Sequence, residues 1–185
     1  MLENYLRAVD AYLPGDEADA DFQSRTSALL RTTANPLHRS QYAPGHITSS
    51  ALVLSADGQS VLLIWHGKLK MWLQPGGHVE SDPDPFQSAT RETVEETGIP
   101  RSSLQVIGHT LLDIDIHPIP ATLKEPGHDH FDLRVLLVSE TKDIVAASDA
   151  ADARWFDVLS AETKQMIDTS AQRLLRKGLH ALRRF

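Results

Sequence analysis

The sequence predicts an α/β domain preceded by a helical arm, and three observations carry that prediction. Before Asn35-Pro36 apolar residues recur at near-helical spacing; from Ile47 they run in short strands separated by turn residues; and one capped helix interrupts the strands between Pro85 and Thr97. With 185 residues, 41% hydrophobic and 23% charged, the chain can build one substantial core plus an appendage. Residues 1–44 are therefore read as a helical extension and residues 45–185 as the main domain, including a carboxy-terminal helix.

Leu2, Leu6, Val9 and Leu13 set the first helical pattern, over residues 2–13, which stops at Pro14-Gly15. A second pattern runs from about Asp16 to Ala34. ITSSALVLS at 47–55 and SVLLIW at 60–65 flank Ala56-Asp57-Gly58-Gln59, a hairpin signal. After the short MWL stretch, Gln74-Pro75-Gly76-Gly77 reads as a break. Asp84 then serves as N-cap, Pro85 takes the first helical position where its missing N–H costs nothing, Gln87 can close a capping box, and Gly98 supplies the stop. Leu112, Ile114 and Ile116 alternate with Asp113, Asp115 and His117, and Phe131, Leu133, Val135 and Leu137 alternate with His130, Asp132 and Arg134, which predicts two half-buried strands. A short strand ends near Arg154-Trp155-Phe156, and Ser160 caps a final helix to about Leu182.

A net charge of -7 argues against binding nucleic acid through bulk charge, and no nucleic-acid partner is expected. Without cysteine there is no disulfide, thiol nucleophile or cysteine-held metal, so any ion must sit on oxygen or imidazole. No basic start followed by an apolar stretch is present, and no apolar run approaches membrane-spanning length, so the expectation is a cytoplasmic protein with no membrane partner. The terminal helix reads as packed through Ile167, Leu174, Leu175, Leu179 and Leu182, with Arg173, Arg176, Lys177, Arg183 and Arg184 on a basic outer face. RNA or membrane contact through those charges is the alternative, though no aromatic platform accompanies them.

Between Glu80 and Glu96 stand the carboxylates of Glu80, Asp82, Asp84, Glu92, Glu95 and Glu96 with a single basic residue, Arg91. On the expected helix Glu92, Glu95 and Glu96 fall at i, i+3 and i+4, on one face and near the carboxyl end, where the helix dipole disfavours negative charge. A solvated acidic face is the bland reading, whereas a divalent cation would turn the repulsion into attraction, and hard oxygen ligands suit Mg2+ or Mn2+.

The segment from Gly77 to Ile99 resembles the Nudix box, G-x5-E-x7-R-E-U-x-E-E-x-G-U, where U is aliphatic. Gly77, Arg91, Glu92, Glu95, Glu96, Gly98 and Ile99 match; Pro83 stands where the first glutamate belongs and Thr93 where an aliphatic residue belongs. The resemblance implies a Nudix-type α/β/α sandwich with a mixed β-sheet, so that residues 45–185 would be a Nudix hydrolase domain. It also implies hydrolysis of the pyrophosphate linkage of a small-molecule nucleoside diphosphate joined to another moiety, by attack of a metal-activated water on phosphorus. In that pattern Arg91, Glu92, Glu95 and Glu96 form the catalytic set, with Glu92, Glu95, Glu96 and the Gly76 carbonyl as ligands of Mg2+ or Mn2+, Glu80 as a secondary candidate, and Arg91 orienting the glutamates. Asp82 or Asp84 could replace the missing box glutamate from one residue away. The general base stays open among the box glutamates and Glu140, Asp143, Asp149 and Asp152, and a homodimer is allowed. The rival reading is a Nudix-like domain that senses a nucleotide without cleaving it, which Pro83 keeps open; an isoprenoid diphosphate isomerase would need a cysteine that the chain lacks.

Outside the box, His130, Asp132 and Arg134 share one strand face, read either as a solvated surface or as a substrate wall in which Arg134 meets phosphate and His130 a base or sugar. A separate histidine-rich metal site involving His117 and His128 is a third reading without a specific spacing motif. Trp65, Trp72 and Trp155 are read as core residues, and Trp72, just ahead of Gln74-Pro75-Gly76, is the one with a claim on the substrate.

Overall fold

Strand β1 (Gly45–Ser55) is the axis of the molecule: every one of its residues is buried, because it has a strand on each side and a helical layer on each face. The structure is a computed structural model and describes residues 1–67, 69–144 and 152–184. β1 runs parallel to β7 (His128–Ser139), in register from Gly45 opposite Asp129 to Ser55 opposite Ser139. Antiparallel partners complete the sheet. β2 (Ser60–His66) and β4 (Gly76–His78) pair with β1; β3 (Met71–Leu73) and β8 (Ala153–Asp157) pair with β2; β5 (Leu104–Val106) and β6 (Asp113–Ile119) pair with β7.

Two apolar clusters make the sandwich. On one face Ile47, Ala51, Val53, Phe131, Leu133, Val135 and Leu137 pack with Ala89 of α3 (Pro85–Thr97) and with the arm formed by α1 (Leu2–Asp10) and α2 (Glu17–Thr32), through Tyr5, Val9, Leu29 and Leu30. On the other, Leu52, Leu54 and Leu136 pack against Ala171, Leu174 and Leu175 of α5 (Thr169–Leu182). The expected α/β/α layering with a mixed sheet is therefore present, and the helical arm shares the core of the sheet.

Several local expectations shift. α1 ends at Asp10 rather than near Leu13, because its buried side is Tyr5, Ala8 and Val9 with Tyr12 following, while Leu13 is 82% exposed. The Gly76-Gly77 break is in fact the strand β4, laddered onto Ser50, Ser49 and Thr48. The terminal helix is two helices, α4 (Ala161–Met166) and α5, since Asp168 restarts the spiral by accepting from the Ala171 N–H. Gly98 terminates α3 in the left-handed conformation as expected, at φ 68°. Gln87 bonds the Asp84 carboxylate with both its backbone N–H and its side chain, so the reciprocal bond of a capping box is replaced.

The larger correction concerns the alternating strands, which are buried on both faces over residues 113–115 of β6 and 131–139 of β7. The polar side of β6 and β7 lies under α5 and forms an ionic network in which Arg134, 3% exposed, donates to Asp132 at 2.9 Å, Asp115 at 3.1 Å, Asp113 at 3.3 Å and the Ser170 hydroxyl at 2.7 Å. Arg173 donates to Asp113 at 2.8 Å and Asp115 at 2.9 Å. Lys177 reaches Asp113 at 2.6 Å, the Tyr12 hydroxyl at 2.8 Å and Asp19 of α2 at 2.5 Å. Arg173 and Lys177 thus point inward and tie the arm to the domain, leaving Arg176, Arg183 and Arg184 on the exposed side. Burial opposes ionisation of Asp19 and Asp115, yet hydrogen bonds from Lys177 to the first, and from His117 and the Arg134 cation to the second, hold both carboxyls below their usual range.

Removing one member strands the others: Arg134→Met is expected to cost about 3–5 kcal/mol, read as a lower urea midpoint, because it leaves buried carboxylates uncompensated. An unchanged midpoint would show that the network contributes nothing. The same carboxylates fix the sign of the acid response. Their stabilisation is complete above the unfolded carboxyl pKa of about 4 and is lost as pH falls toward the depressed folded values. The urea midpoint of the intact protein should accordingly fall steeply below pH ~4, and a flat profile there would contradict the network.

Candidate active site

The loop before α3 and the helix itself are organised around one side chain. Arg91 donates through Nε to Asp82 at 3.1 Å, through Nη2 to Asp82 at 3.0 Å and to the His78 carbonyl at 3.0 Å, and through Nη1 to Glu92 at 3.0 Å and Glu95 at 2.8 Å. Burial opposes its charge, but these acceptors raise its pKa further above the ordinary arginine value. Asp82, one residue ahead of Pro83, supplies the carboxylate that the missing box glutamate would have offered to Arg91. Burial resists its ionisation, and the bonds from Arg91 overcome that resistance and lower its pKa. Asp84 does something else, capping α3 with a 2.9 Å bond from the Gln87 N–H. The arm supports the same loop: Asn4 of α1 donates to the Pro83 carbonyl at 3.0 Å.

Glu92 and Glu96 lie beside β4, and Glu95, more exposed, is held by Arg91. The Gly76 N–H donates to Glu96 at 3.0 Å. A Cβ on Gly76 would stand 2.3 Å from the Ser50 Cβ, so close approach of β1 requires glycine there, and one on Gly77 would stand 2.6 Å from a Glu92 oxygen and push that carboxylate from its place. Burial pushes the Glu92 carboxyl up, Arg91 opposes the shift, and Glu95 and Glu80 add to it. A carboxylate raised by burial and by its acidic neighbours marks a place short of positive charge, and the oxygen donors present fit a hard divalent cation. Glu80 is exposed, its backbone N–H donating to Asp82 at 3.3 Å. Thr93, at the aliphatic position of the box, is fully buried and returns its hydroxyl to the Ala89 carbonyl at 2.8 Å, leaving its methyl as the apolar group.

The residues expected at a substrate wall are dispersed. Asp132 and Arg134 lie in the buried network, where Asp132 also accepts from Thr48 at 3.0 Å and Ser50 at 2.6 Å, so the guanidinium has no free edge for phosphate. His130 sits at the other end of the same face, in a group of imidazoles. Its ring centroid is 4.8 Å from His46, 5.4 Å from His78, 5.2 Å from His128 and 5.5 Å from His117. Burial and the neighbouring histidines hold the His130 pKa far below normal, and burial with Arg39 lowers His78 to about 4. His46 and His78 carried no signal of their own in the sequence; only the register that sets His46 opposite His130, and His78 opposite Thr48 two residues on from His46, reveals them. Trp72 packs edge-on against Phe156 at 4.8 Å and Trp65 at 5.5 Å, with Arg154 over its ring at 5.6 Å. Among the general-base candidates, Asp152 pairs with Arg154, while the Glu140 and Asp143 backbone N–H groups are held by Ser103 and Thr141; among the described residues none of the three is hydrogen-bonded to the box. Asp149 lies outside the described residues.

A glycine-lined strand facing an acidic helix that one arginine pins in place is the arrangement of the Nudix hydrolase fold. Residues 44–177 match the model of the NUDIX domain, and the chain belongs to that family. A probable DHNTP pyrophosphohydrolase of Lactococcus lactis subsp. cremoris (strain MG1363) is 36% identical over 98 residues, which are 52% of this chain and 56% of the relative, so the match spans little more than half of that protein. Among solved structures, a C. elegans Ap4A hydrolase binary complex superposes with a TM-score of 0.59 at 20% identity, covering 75% of this chain and 98% of the other. The E. coli dihydroneopterin triphosphate pyrophosphohydrolase gives 0.57 at 16% identity, covering 72% and 94%. No helix among the described residues is long and apolar enough to cross a membrane.

The division of labour between the two aspartates is testable. Asp82→Ala should weaken Mn2+ affinity by roughly 10- to 100-fold, as loss of a residue that orients ligands commonly does. Asp84→Ala should leave that affinity nearly intact while costing about 1 kcal/mol of stability through the lost cap. Titration and thermal melting of both variants check the pair; equal metal affinities in Asp82→Ala and the parent would remove Asp82 from its assigned place.

Proposed function

We propose that the protein is a divalent-metal-dependent pyrophosphohydrolase acting on a nucleoside diphosphate linked to another moiety. The observation that carries this reading is the acidic face of α3 set against β4, with Glu92 beside Gly77, Glu96 accepting from the Gly76 N–H, and Arg91 holding Glu92 and Glu95. Family members generally use divalent ions, and the oxygen donors here favour Mg2+ or Mn2+, held by Glu92, Glu95 and Glu96 with the Gly76 carbonyl. Such an ion would neutralise charge on the phosphate oxygens and lower the pKa of attacking water.

The chain's own residues do the rest. Arg91 fixes two of the three glutamates by charge-assisted bonds, and the backbone of β4 allows phosphate to approach without a side chain in the way. Water adds to phosphorus, the anhydride P–O bond breaks with its electrons leaving on the bridging oxygen, and a box carboxylate accepts the water's proton. The Lactococcus and E. coli relatives are described as pyrophosphohydrolases and the C. elegans one as an Ap4A hydrolase, which supports the bond class. The rival sensor reading rested on Pro83, and it loses that support because Asp82 meets Arg91 in its stead.

Replacing Glu95 and Glu96 together by glutamine keeps the side-chain size and removes two ligand charges. Turnover should fall by roughly 10²-fold or more, with the melting temperature little changed. The assay follows product masses from a panel of nucleoside diphosphate derivatives with Mg2+ and with Mn2+. Wild-type turnover in the double variant would overturn the assignment.

A further inference from the structure

Ligand nitrogens of His46, His78 and His130, brought from β1, β4 and β7, all lie within 4.8 Å of one another. We propose that these three imidazoles form a second metal centre, for a transition-metal ion of the zinc type, separate from the glutamate site.

The orientation of His46 is the strongest argument. Its Nδ1 is 3.0 Å from the Gln41 carbonyl, which can only accept, so Nδ1 carries the proton and Nε2 presents a lone pair. That Nε2 is fully buried and without any hydrogen-bond partner. An orphaned buried acceptor is costly, and a backbone carbonyl fixing the far nitrogen is the usual support of a metal-bound histidine. Three imidazoles whose nitrogens lie within 4.8 Å of one another, with a buried ring nitrogen of His46 unpaired, are accounted for by an ion held among them.

The surroundings are built to hold the rings in place. His128 stacks on His46 at 5.0 Å and gives its own Nδ1 to the Pro126 carbonyl at 2.8 Å, while His117 is held by Asp115 at 3.0 Å. These two flank the triad, so the proposed centre takes His46, His78 and His130 rather than the His117 and His128 of the third sequence reading. In a tetrahedral zinc site the nitrogens lie about 3.3 Å apart, from bonds of about 2.0–2.1 Å, so the rings close inward by small rotations and leave a fourth position open. Donor chemistry keeps the two centres apart, since imidazole favours zinc-like ions and carboxylates favour magnesium. The ion would tie β4 to β1 and β7, and β4 carries both Gly76-Gly77 and the His78 carbonyl that receives Arg91 at 3.0 Å. Its role is to position the glycine strand beneath the glutamates, and the proposal stands whether or not the chain hydrolyses pyrophosphate.

The test uses the full chain stripped with EDTA, then titrated with Co2+ in excess Mg2+ so that the carboxylate site is filled. The expected result is one equivalent of Co2+ giving the intense visible d–d bands of a four-coordinate nitrogen-rich site, displaced by Zn2+. X-ray absorption of the zinc form should show nitrogen neighbours at about 2.0 Å. His46→Asn and His130→Asn should each lower Co2+ affinity at least tenfold, while the Glu95→Gln, Glu96→Gln double variant keeps it. A weak octahedral spectrum in the intact protein overturns the proposal without any variant, and so does binding that follows the glutamates rather than the histidines.

Discussion

The site depends on a charge imbalance that one cation has to resolve. Asp82, Glu92 and Glu95 all bond Arg91, and the same guanidinium takes the His78 carbonyl, so the loop, the helix and β4 are positioned by a single planar fork. A lysine offers neither five donors nor a fixed plane. Arg91 leaves the cluster still in excess of negative charge, and that remainder is what a divalent ion would meet. Glycine at 77 follows from the same requirement, because a Cβ there would stand in the space that Glu92 of α3 occupies, whereas glycine at 76 is set by the closeness of β1 at Ser50.

Behind the site, one face of the sheet is sorted by depth into three bands. His46, His78 and His130 lie at one end, the Asp113, Asp115, Asp132, Arg134 network lies in the middle, and Leu52, Leu54 and Leu136 meet α5 at the other. Strand pairing produces this, since residues opposite one another in β1, β6 and β7 share a side. A buried ionic network is a poor way to gain stability compared with apolar packing, but it is selective about partners. Here it requires Ser170, Arg173 and Lys177 of α5 at particular turns, and it requires Asp19 of the arm, so it fixes where both helical pieces dock.

What the sequence conveyed and what it withheld follow the same logic. The acidic helix was legible to the residue, because Asp84, Pro85 and Gly98 are local signals whose physics does not depend on the rest of the fold. The strand alternation was legible as well, but its meaning was not. Alternation records which residues share a face and is silent on what covers that face, so Arg134 read as solvated surface or as a substrate wall when α5 buries it. The complementary signal was present in the inward stripe of α5, where Arg173 and Lys177 stand four apart opposite Asp113 and Asp115. β4 went unread because its glycines are chosen for close approach in a ladder rather than for a turn. His46 and His78 could be joined to His130 only through long-range register, which no local pattern encodes. Asp84 was legible as the helix cap, but Asp82 and Asp84 were equal candidates to replace the box glutamate, and only the path of the loop gives Asp82 to Arg91.

Asp82 is placed to act on the proposed metal site through Arg91 and in no other way. A double-mutant cycle on Mn2+ affinity, built from Asp82→Ala, Arg91→Ala and the two combined, isolates that coupling. Strong non-additivity is predicted, with an interaction energy of about 1–3 kcal/mol and a double variant little worse than Arg91→Ala alone. Losses that simply add, to within about 0.5 kcal/mol, would mean that the two residues serve the site independently and would contradict the account.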